Sequence, residues 1–425
     1  MSDATDLNEM ESVDDFRDRA RTWIREHLEM RPADEEVGIL RPKLSDEAEL
    51  AEVARDREIQ RMMYDAGLAG VCFPLEYGGL GLTPAHQRAL NEEMAGREYA
   101  SRVQAPTMSP CASVLLEFGT EEQKREHLPA ILKGDELWMQ LLSEPQAGSD
   151  VAGVLTTALR DGDEWVLNGS KVWTTGAWWS DWGLCLARTN WDVPKHRGLT
   201  VFIFPLHQDG VEVHRIEMLN GFKDFCQEFL SDLRVPDSAR VGEVDKGWTV
   251  GTRWMFHERM LHNSPYVTLP VGSTGGGSAK SVVNVSVARD AGRLRDPRSR
   301  ELLGESRCLD LVMEHLNARV GTGIAAGALS DQAASIARLF GGTASSRQNQ
   351  IAFELAGSAA TAWDDDDGLA AEVGNDYLLR QVSEIGGGTT EMARNVVSER
   401  VLGMPRERSH DPDLPFRDVP KGAGG

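Results

Sequence analysis

The spacing of apolar residues changes twice along this chain, and that double change restricts the fold more than any other feature. Up to residue 135, apolar residues recur three and four apart with charges between them, over Phe16–Leu28, Ala48–Ala66, Pro84–Arg97 and Glu121–Leu132. That is the period of amphipathic helices. Thr120 before Glu121 and Glu122 reads as an N-cap with acids in the first turn, and FPLEYGGLGL (Phe73–Leu82) as a Gly-rich loop between helices. Near residue 140 the texture becomes that of short strands. DEWVLNGSKVWTT, DWGLCLART, LTVFIFPL, VEVHRI and EFLSDLRV are β-branched or aromatic runs set between turn residues, which predicts a mostly antiparallel β domain. From Gly247 onward the helical period returns, in Glu301–Arg319, Leu329–Phe340 and Arg347–Thr361. AWDDDDG (Ala362–Gly368) reads as a solvated loop and Pro412–Gly425 as a loose tail. The expected architecture is α+β: a helical domain over 1–138, a middle β domain over 139–243, a helical bundle over 244–406 and a flexible tail over 407–425.

The formal net charge of -22 argues against nucleic acid and anionic membrane surfaces as partners, since both need a basic footprint. A phosphorylated ligand stays open, because local arginine clusters invert the surface field. No apolar run reaches the ~20 residues that span a bilayer. The acidic start, MSDATDLNEMESVDD, is unlike a signal or transit peptide. Cysteines at 72, 111, 185, 226 and 308 are odd in number and widely spaced, with no Cys-x-x-Cys. Neither a disulfide framework nor a metal site is suggested, and the chain reads as cytoplasmic and reduced.

Two segments carry the strongest chemical signal: SEPQAGSD (Ser143–Asp150) and NGSKVWTTGA (Asn168–Ala177). The first packs hydroxyls, backbone donors and a tight turn into eight residues. In the second, Asn168-Gly169 is a two-residue hairpin signal. A hairpin there would return Trp173, Thr174 and Thr175 beside the Ser149 turn, giving a polar ledge with one aromatic wall that suits a flat heteroaromatic ring. A third segment, RQVSEIGGGTTEMARNVVSERVLGMPR (Arg380–Arg406), runs a glycine triplet into Thr389, Thr390 and Glu391 at a helix start, where free amides suit a pyrophosphate or an electron-rich ring edge.

In order and separation these segments resemble the acyl-CoA dehydrogenase family, over residues 13 to 406. The resemblance implies an N-terminal helical domain, a middle β-barrel-like domain and a C-terminal four-helix bundle. It also implies bound FAD completed by a neighbouring subunit, hence a homodimer or homotetramer. The reaction it implies is α,β-dehydrogenation of an acyl-CoA thioester to the trans-2-enoyl-CoA, in lipid metabolism, with electrons leaving to an electron-transfer flavoprotein. Carried over residue by residue, Leu142 and Ser143 would touch the pyrimidine side of the flavin. Ser149 would sit near the pyrophosphate or the substrate's thioester arm. Trp173 would flank the dimethylbenzene side beside Thr174, Thr175 would donate to flavin N5, and Thr389 and Glu391 would contact FAD. Of the arginines at 293, 295, 298 and 300, Arg300 best matches the family's diphosphate contact, and FELAGS (Phe353–Ser358) occupies the slot of an adenosine turn.

The sequence departs from the family at one position that matters. Many members place the catalytic glutamate in the glycine-rich turn by the substrate, where this chain has Gly387. A second family location is a Glu-Arg pair on an internal helix, and WMFHERMLH (Trp254–His262) fits it. Glu258 would then be the base, with Arg259 near the substrate's carbonyl or phosphate groups. Thioester α-protons are weakly acidic, so removing one needs a carboxylate within about 3 Å, in a dry slot that raises its pKa. Two rivals share the scaffold: an oxygen-using flavoenzyme (acyl-CoA oxidase, nitroalkane oxidase or monooxygenase), and a non-catalytic subunit of a heteromeric dehydrogenase. GSTGGGSAKS (Gly272–Ser281) lacks the lysine of a phosphate loop. GTGIAA (Gly321–Ala326) follows a helical run instead of a strand, and His257 and His262 miss the four-residue register of a zinc helix. His196 and His214 read as surface or hairpin residues.

Overall fold

Serine and threonine caps set the helical starts in the computed structural model, which describes residues 10–31, 44–261, 264–271, 280–363, 368–406 and 412–420. Ser12 accepts from Asp15 N to open α1 (Val13–His27), which buries Phe16, Ala20 and Ile24 along one stripe. Ser45 opens α2 (Asp46–Asp65) in the same way. α3 (Pro84–Glu93) follows, and Thr120 forms a reciprocal capping box with Gln123 at the start of α6 (Glu121–Lys133).

Between α3 and α6 lies a continuous helical stretch: α4 (Ser101–Val103), a π-helical segment over Gln104–Ala112, and α5 (Ser113–Phe118). Pro106 and Pro110 lack amide donors, so the regular i→i−4 ladder cannot run through this segment. Thr107 instead ties it to the sheet, its hydroxyl donating to Trp138 O at 3.0 Å and accepting from Trp138 N at 2.9 Å.

The middle region is one eight-stranded sheet in the order β6-β7-β3-β2-β4-β5-β8, with β1 beside β4. Its strands are β1 (Trp138–Leu141), β2 (Thr157–Asp161), β3 (Glu164–Thr175), β4 (Trp182–Arg188), β5 (Leu199–Pro205), β6 (Val211–Ile216), β7 (Phe225–Pro236) and β8 (Arg240–Val241). The hairpin expected at Asn168-Gly169 is not there. β2 and β3 join through the two-residue loop Gly162-Asp163, closed by the Asp161–Glu164 pair, with Gly162 at φ +67° supplying its left-handed residue. Asn168 and Gly169 lie inside β3, which pairs with β7 over its length and shifts register at Leu167/Gly169 and again at Val172/Thr174.

α7 (Gly247–Arg259) packs on the π-helical segment, α5 and β5. These elements form one compact unit, residues 1–217, 223–274 and 411–425. Part of the expected loose tail belongs to it. Residues 412–420 are anchored: Phe416, 3% exposed, stacks on Trp191, and the Arg188 guanidinium carbon sits 3.7 Å from its ring centroid. The sequence expectation missed this because a single aromatic in a polar tail carries no period.

The second unit, residues 218–222 and 275–410, is mainly helical over its described residues. α8 (Lys280–Asp290), α9 (Pro297–Ala325) and α11 (Leu369–Leu379) pack around α10 (Ala334–Ala356). Leu302, Ile351, Leu355 and Val373 lie in its core. α10 joins two pieces that the sequence reading divides near Gly341-Gly342. A Cβ on Gly342 would stand 2.8 Å from Ser383 O, so the glycine admits the chain of α12 (Val382–Ile385) against the helix. The last helix, α13 (Thr390–Val396), follows the glycine triplet. The GTGIAA run falls at the end of α9, as its helical context suggests. Gly272–Ala279 of the phosphate-loop lookalike, His262 and the acids of AWDDDDG lie outside the described residues.

Candidate active site

The ledge forms by a different route from the expected one. Where β1 ends, Ser143 O accepts from Val172 N at 3.0 Å and Leu142 O accepts from Lys171 Nζ at 3.2 Å. This lays the SEPQAGSD turn along β3. Lys171 and Glu144, one charged residue from each motif, form an ion pair at 2.9 Å with side chains 0% and 1% exposed. Glu144 also accepts from Leu155 N at 2.6 Å, Thr156 N at 2.9 Å and the Gln146 side chain at 2.5 Å. Despite burial, Lys171 and these donors hold its carboxyl below the ordinary range. The turn is thereby riveted to the strand from inside. Neither residue was expected as a site residue; an acid in the first motif and a lysine in the second were the available signal.

The register shift at Trp173 sets what β3 presents. Trp173 takes φ +66° and is 57% exposed, while Thr174 turns inward and Thr175 outward. Thr174 is 3% exposed and its hydroxyl donates to Glu228 Oε2 at 2.9 Å, so that side chain is committed to the interior. The hydroxyls of Ser143, Ser149 and Thr175 have no hydrogen-bond partner among the described residues. Ser149 is exposed, and its neighbour Asp150 pairs with Lys195 at 2.7 Å. Trp178 and Trp179 both donate to the buried Glu49, and Trp182 stacks on Trp138, so these three serve packing.

Glu258 lies at the end of α7, beside β1. Its carboxylate bonds the Gln140 amide, whose Oε1 takes Trp254 Nε1 at 2.5 Å. Burial pushes the Glu258 carboxyl above its ordinary range, against the opposing pull of Arg259 and Gln140. Gln140 lies two residues before Leu142, so β1 carries both the partner of Glu258 and the start of the ledge. The neighbouring His257 is held elsewhere, with Nε2 2.8 Å from Glu117 and its carbonyl accepting from Ser109. No group of residues suited to a metal ion occurs among the described residues. His196 stands edge-on to Trp248 and His214 is exposed, in line with their reading as surface or hairpin residues.

The second unit holds the remaining expected residues. Thr389 caps α13, accepting from Met392 N at 3.1 Å, and Glu391 is exposed beside Arg394. Gly387 precedes this cap with φ +68° and offers no side chain for proton transfer. Arg338 of α10 braces the turn by donating to Ser383 O at 2.9 Å and Gly386 O at 2.6 Å. Arg300, in the first turn of α9, is exposed, and its guanidinium has no partner among the described residues. Arg293 donates to Glu354 O and Arg298 pairs with Glu354, so both are engaged at the FELAGS end of α10.

Comparison with known proteins agrees along the chain. The models of the acyl-CoA dehydrogenase N-terminal, middle and C-terminal domains match residues 10–135, 140–250 and 245–402. Acyl-CoA dehydrogenase IpdE1 of Mycobacterium tuberculosis is 33% identical over 94% of this chain and 99% of its own length. FadE26 of the same organism is 32% identical over 82% and 88%. The Tcur3481-Tcur3483 steroid ACAD superposes with a TM-score of 0.73 at 29% identity, over 95% of this chain and 100% of that one. The chain belongs to the acyl-CoA dehydrogenase family of FAD-dependent oxidoreductases.

Proposed function

We propose that this acyl-CoA dehydrogenase removes the α-proton of its acyl-CoA thioester with Glu258 and yields the trans-2-enoyl-CoA. The observation that carries the reading is the environment of Glu258: a carboxylate on α7 whose pKa burial raises, fixed by Gln140 on the strand that runs into the ledge. The ledge also fits the flavin. It offers an exposed indole at a bulge and three hydroxyls without partners among the described residues, the donor set that a ring with one apolar and one polar edge needs.

Leu142, Ser143, Trp173 and Thr175 would hold the ring, the last donating toward N5. Ser149 would serve the pyrophosphate or the thioester arm. Arg300, Thr389 and Glu391 are proposed for the rest of the cofactor, and Arg259 and the open Gly387 turn for the substrate. FAD, when bound, supplies a two-electron hydride acceptor. Glu258 does the rest of the bond breaking: its raised pKa makes it a stronger base near neutrality than an ordinary carboxylate. Gln140 keeps the carboxylate from swinging away. Thr174, although part of the motif, supports the ledge from below. Electron-transfer flavoprotein is proposed as the acceptor and a homodimer or homotetramer as the assembly.

The test is anaerobic titration of the yellow protein with straight-chain, branched and steroid-ring acyl-CoAs, the last because a similar solved structure is a steroid ACAD. One of them should bleach the flavin band, and Glu258→Gln should slow bleaching by about 10²–10⁴-fold while retaining FAD. Near-normal bleaching in that variant would sink the assignment. Rapid reoxidation by air would instead favour an oxidase, and bleaching only after a second subunit is added would favour a heteromer.

A further inference from the structure

Beneath the ledge lies a second carboxylate, on the neighbouring strand. Glu228 of β7 is 0% exposed, and its Oε1 has no hydrogen-bond partner among the described residues. Its other oxygen takes the Thr174 hydroxyl. Glu228 faces Lys171 across the β3–β7 ladder, so one lysine stands between two buried acids. With both ionised, the pocket would hold a net negative charge in a dry interior, which is costly. The donors decide which acid gives way. Glu144 has Lys171, two backbone amides and the Gln146 amide, whereas Glu228 has the Thr174 hydroxyl and its own backbone amide. The titratable groups facing Glu228 besides Lys171 are the thiols of Cys185 on β4 and Cys226 on β7, both pushed up to about 12 by burial, so neither carries charge near neutrality; the Arg188 guanidinium on β4 acts on Glu144 and favours its ionised form. Glu228 therefore keeps its proton in neutral solution, consistent with burial raising its pKa to about 8.

The tie to Thr174 also has a geometric consequence. The register shift between Val172 and Thr174 leaves Trp173 bulged outward with φ +66°. Thr174, the next residue, is the only one of the Trp173–Thr175 run turned inward, and Glu228 is its side-chain partner. The bond pins the C-terminal side of the bulge and so aims Trp173 and Thr175.

We propose that Glu228 is a positioning residue of the flavin ledge, acting through Thr174, and that loss of its proton makes the bound flavin harder to reduce. This rests on the reading of Trp173 and Thr175 as flavin contacts. A negative charge fixed behind the ledge opposes the gain of electrons in front of it, and little solvent intervenes to screen it. By reciprocity, flavin reduction favours the protonated Glu228, so part of a proton is taken up on reduction near the pH where Glu228 titrates.

The measurement is the flavin midpoint potential against pH from about 6 to 10, in the native holoenzyme and in Glu228→Gln and Thr174→Val. The native plot should steepen near the titration of Glu228, about pH 8. Glu228→Gln, which keeps the hydrogen bond without the charge, should hold one slope through that interval. Thr174→Val removes the one side-chain donor to the carboxylate, so its break should move to higher pH; this variant decides the matter if Glu228→Gln does not fold. Coincident plots for the native protein and Glu228→Gln, or a break that stays in place in Thr174→Val, would overturn the proposal. FAD affinity of Trp173→Ala separates the two layers. Unchanged affinity removes the ledge reading and this inference with it; weakened affinity with coincident plots removes the inference alone.

Discussion

Two residues that sequence reading passed over, Glu144 and Lys171, do more for the ledge than the hydroxyls that advertised it. Their ion pair is inaccessible to solvent, so removing one partner strands the other. Lys171→Met should cost about 3–5 kcal/mol and loosen the SEPQAGSD turn. Adding Glu144→Gln to that variant should recover much of the loss, because no uncompensated charge then remains. Thermal unfolding of the single and double variants checks this, and strictly additive losses would contradict it. Glu258 yields a second prediction at this scale. Its folded pKa lies above the ordinary carboxylate value, and only the ionised form takes a proton. The kcat/KM should therefore rise with pH and level off only above the range of an exposed glutamate. A rate already flat from pH 5 upward would place the base elsewhere.

Among the elements, legibility followed sequence distance. α1, α2 and α6 were readable because caps and apolar stripes are local, down to Thr120 with its acids. The presence of β3 was equally plain. Its partner was not: pairing with β7 joins residues about sixty positions apart, and the bulge at Trp173 is one extra residue of β3 that offsets the opposite register shift at Leu167/Gly169. The Asn168-Gly169 signal failed for the same reason, since a tertiary ladder overrode a local turn preference while Gly162-Asp163 served the turn. Glu258 was named only through family resemblance, because a Glu-Arg pair on a helix carries no period that separates a half-buried carboxylate from a solvated one. The anchored tail was invisible. Arg188 explains its grip: burial lowers its pKa to about 10, it donates to Ala152 O, Val154 O and Lys195 O, and its remaining face meets Phe416. Those carbonyls belong to the segments beside Ser149 and Asp150. Phe416→Ala should thus cost about 2–4 kcal/mol and raise protease cleavage around 412–420. A variant with native resistance and melting temperature would show the contact to be incidental.

For the whole molecule, the paired acids and the buried Glu228 pull stability in opposite directions with pH. Glu144, Glu117 and Glu93 have folded pKa values below the usual carboxylate range, so each contributes stability that is present above its unfolded pKa and lost as pH falls through the folded one. Glu228 has the reverse sign. Its folded pKa is about 8 against an ordinary 4.5. Between those values the unfolded chain gives up a proton that the folded chain retains, so stability declines as pH rises across that window and the loss is complete above about 8. The two trends place the stability maximum in weakly acidic solution, where the pairs are formed and Glu228 costs little. Glu228→Gln removes the decline on the alkaline side. Measured by denaturant unfolding, it should match the native protein near pH 4.5 and exceed it progressively to pH 8, by several kcal/mol at the upper end. The gain should appear in FAD-free protein as well, because the cost is one of burial and not of the cofactor. A variant whose advantage is the same at every pH would mean that the glutamine merely packs better, and that Glu228 ionises in the folded chain as readily as in the unfolded one.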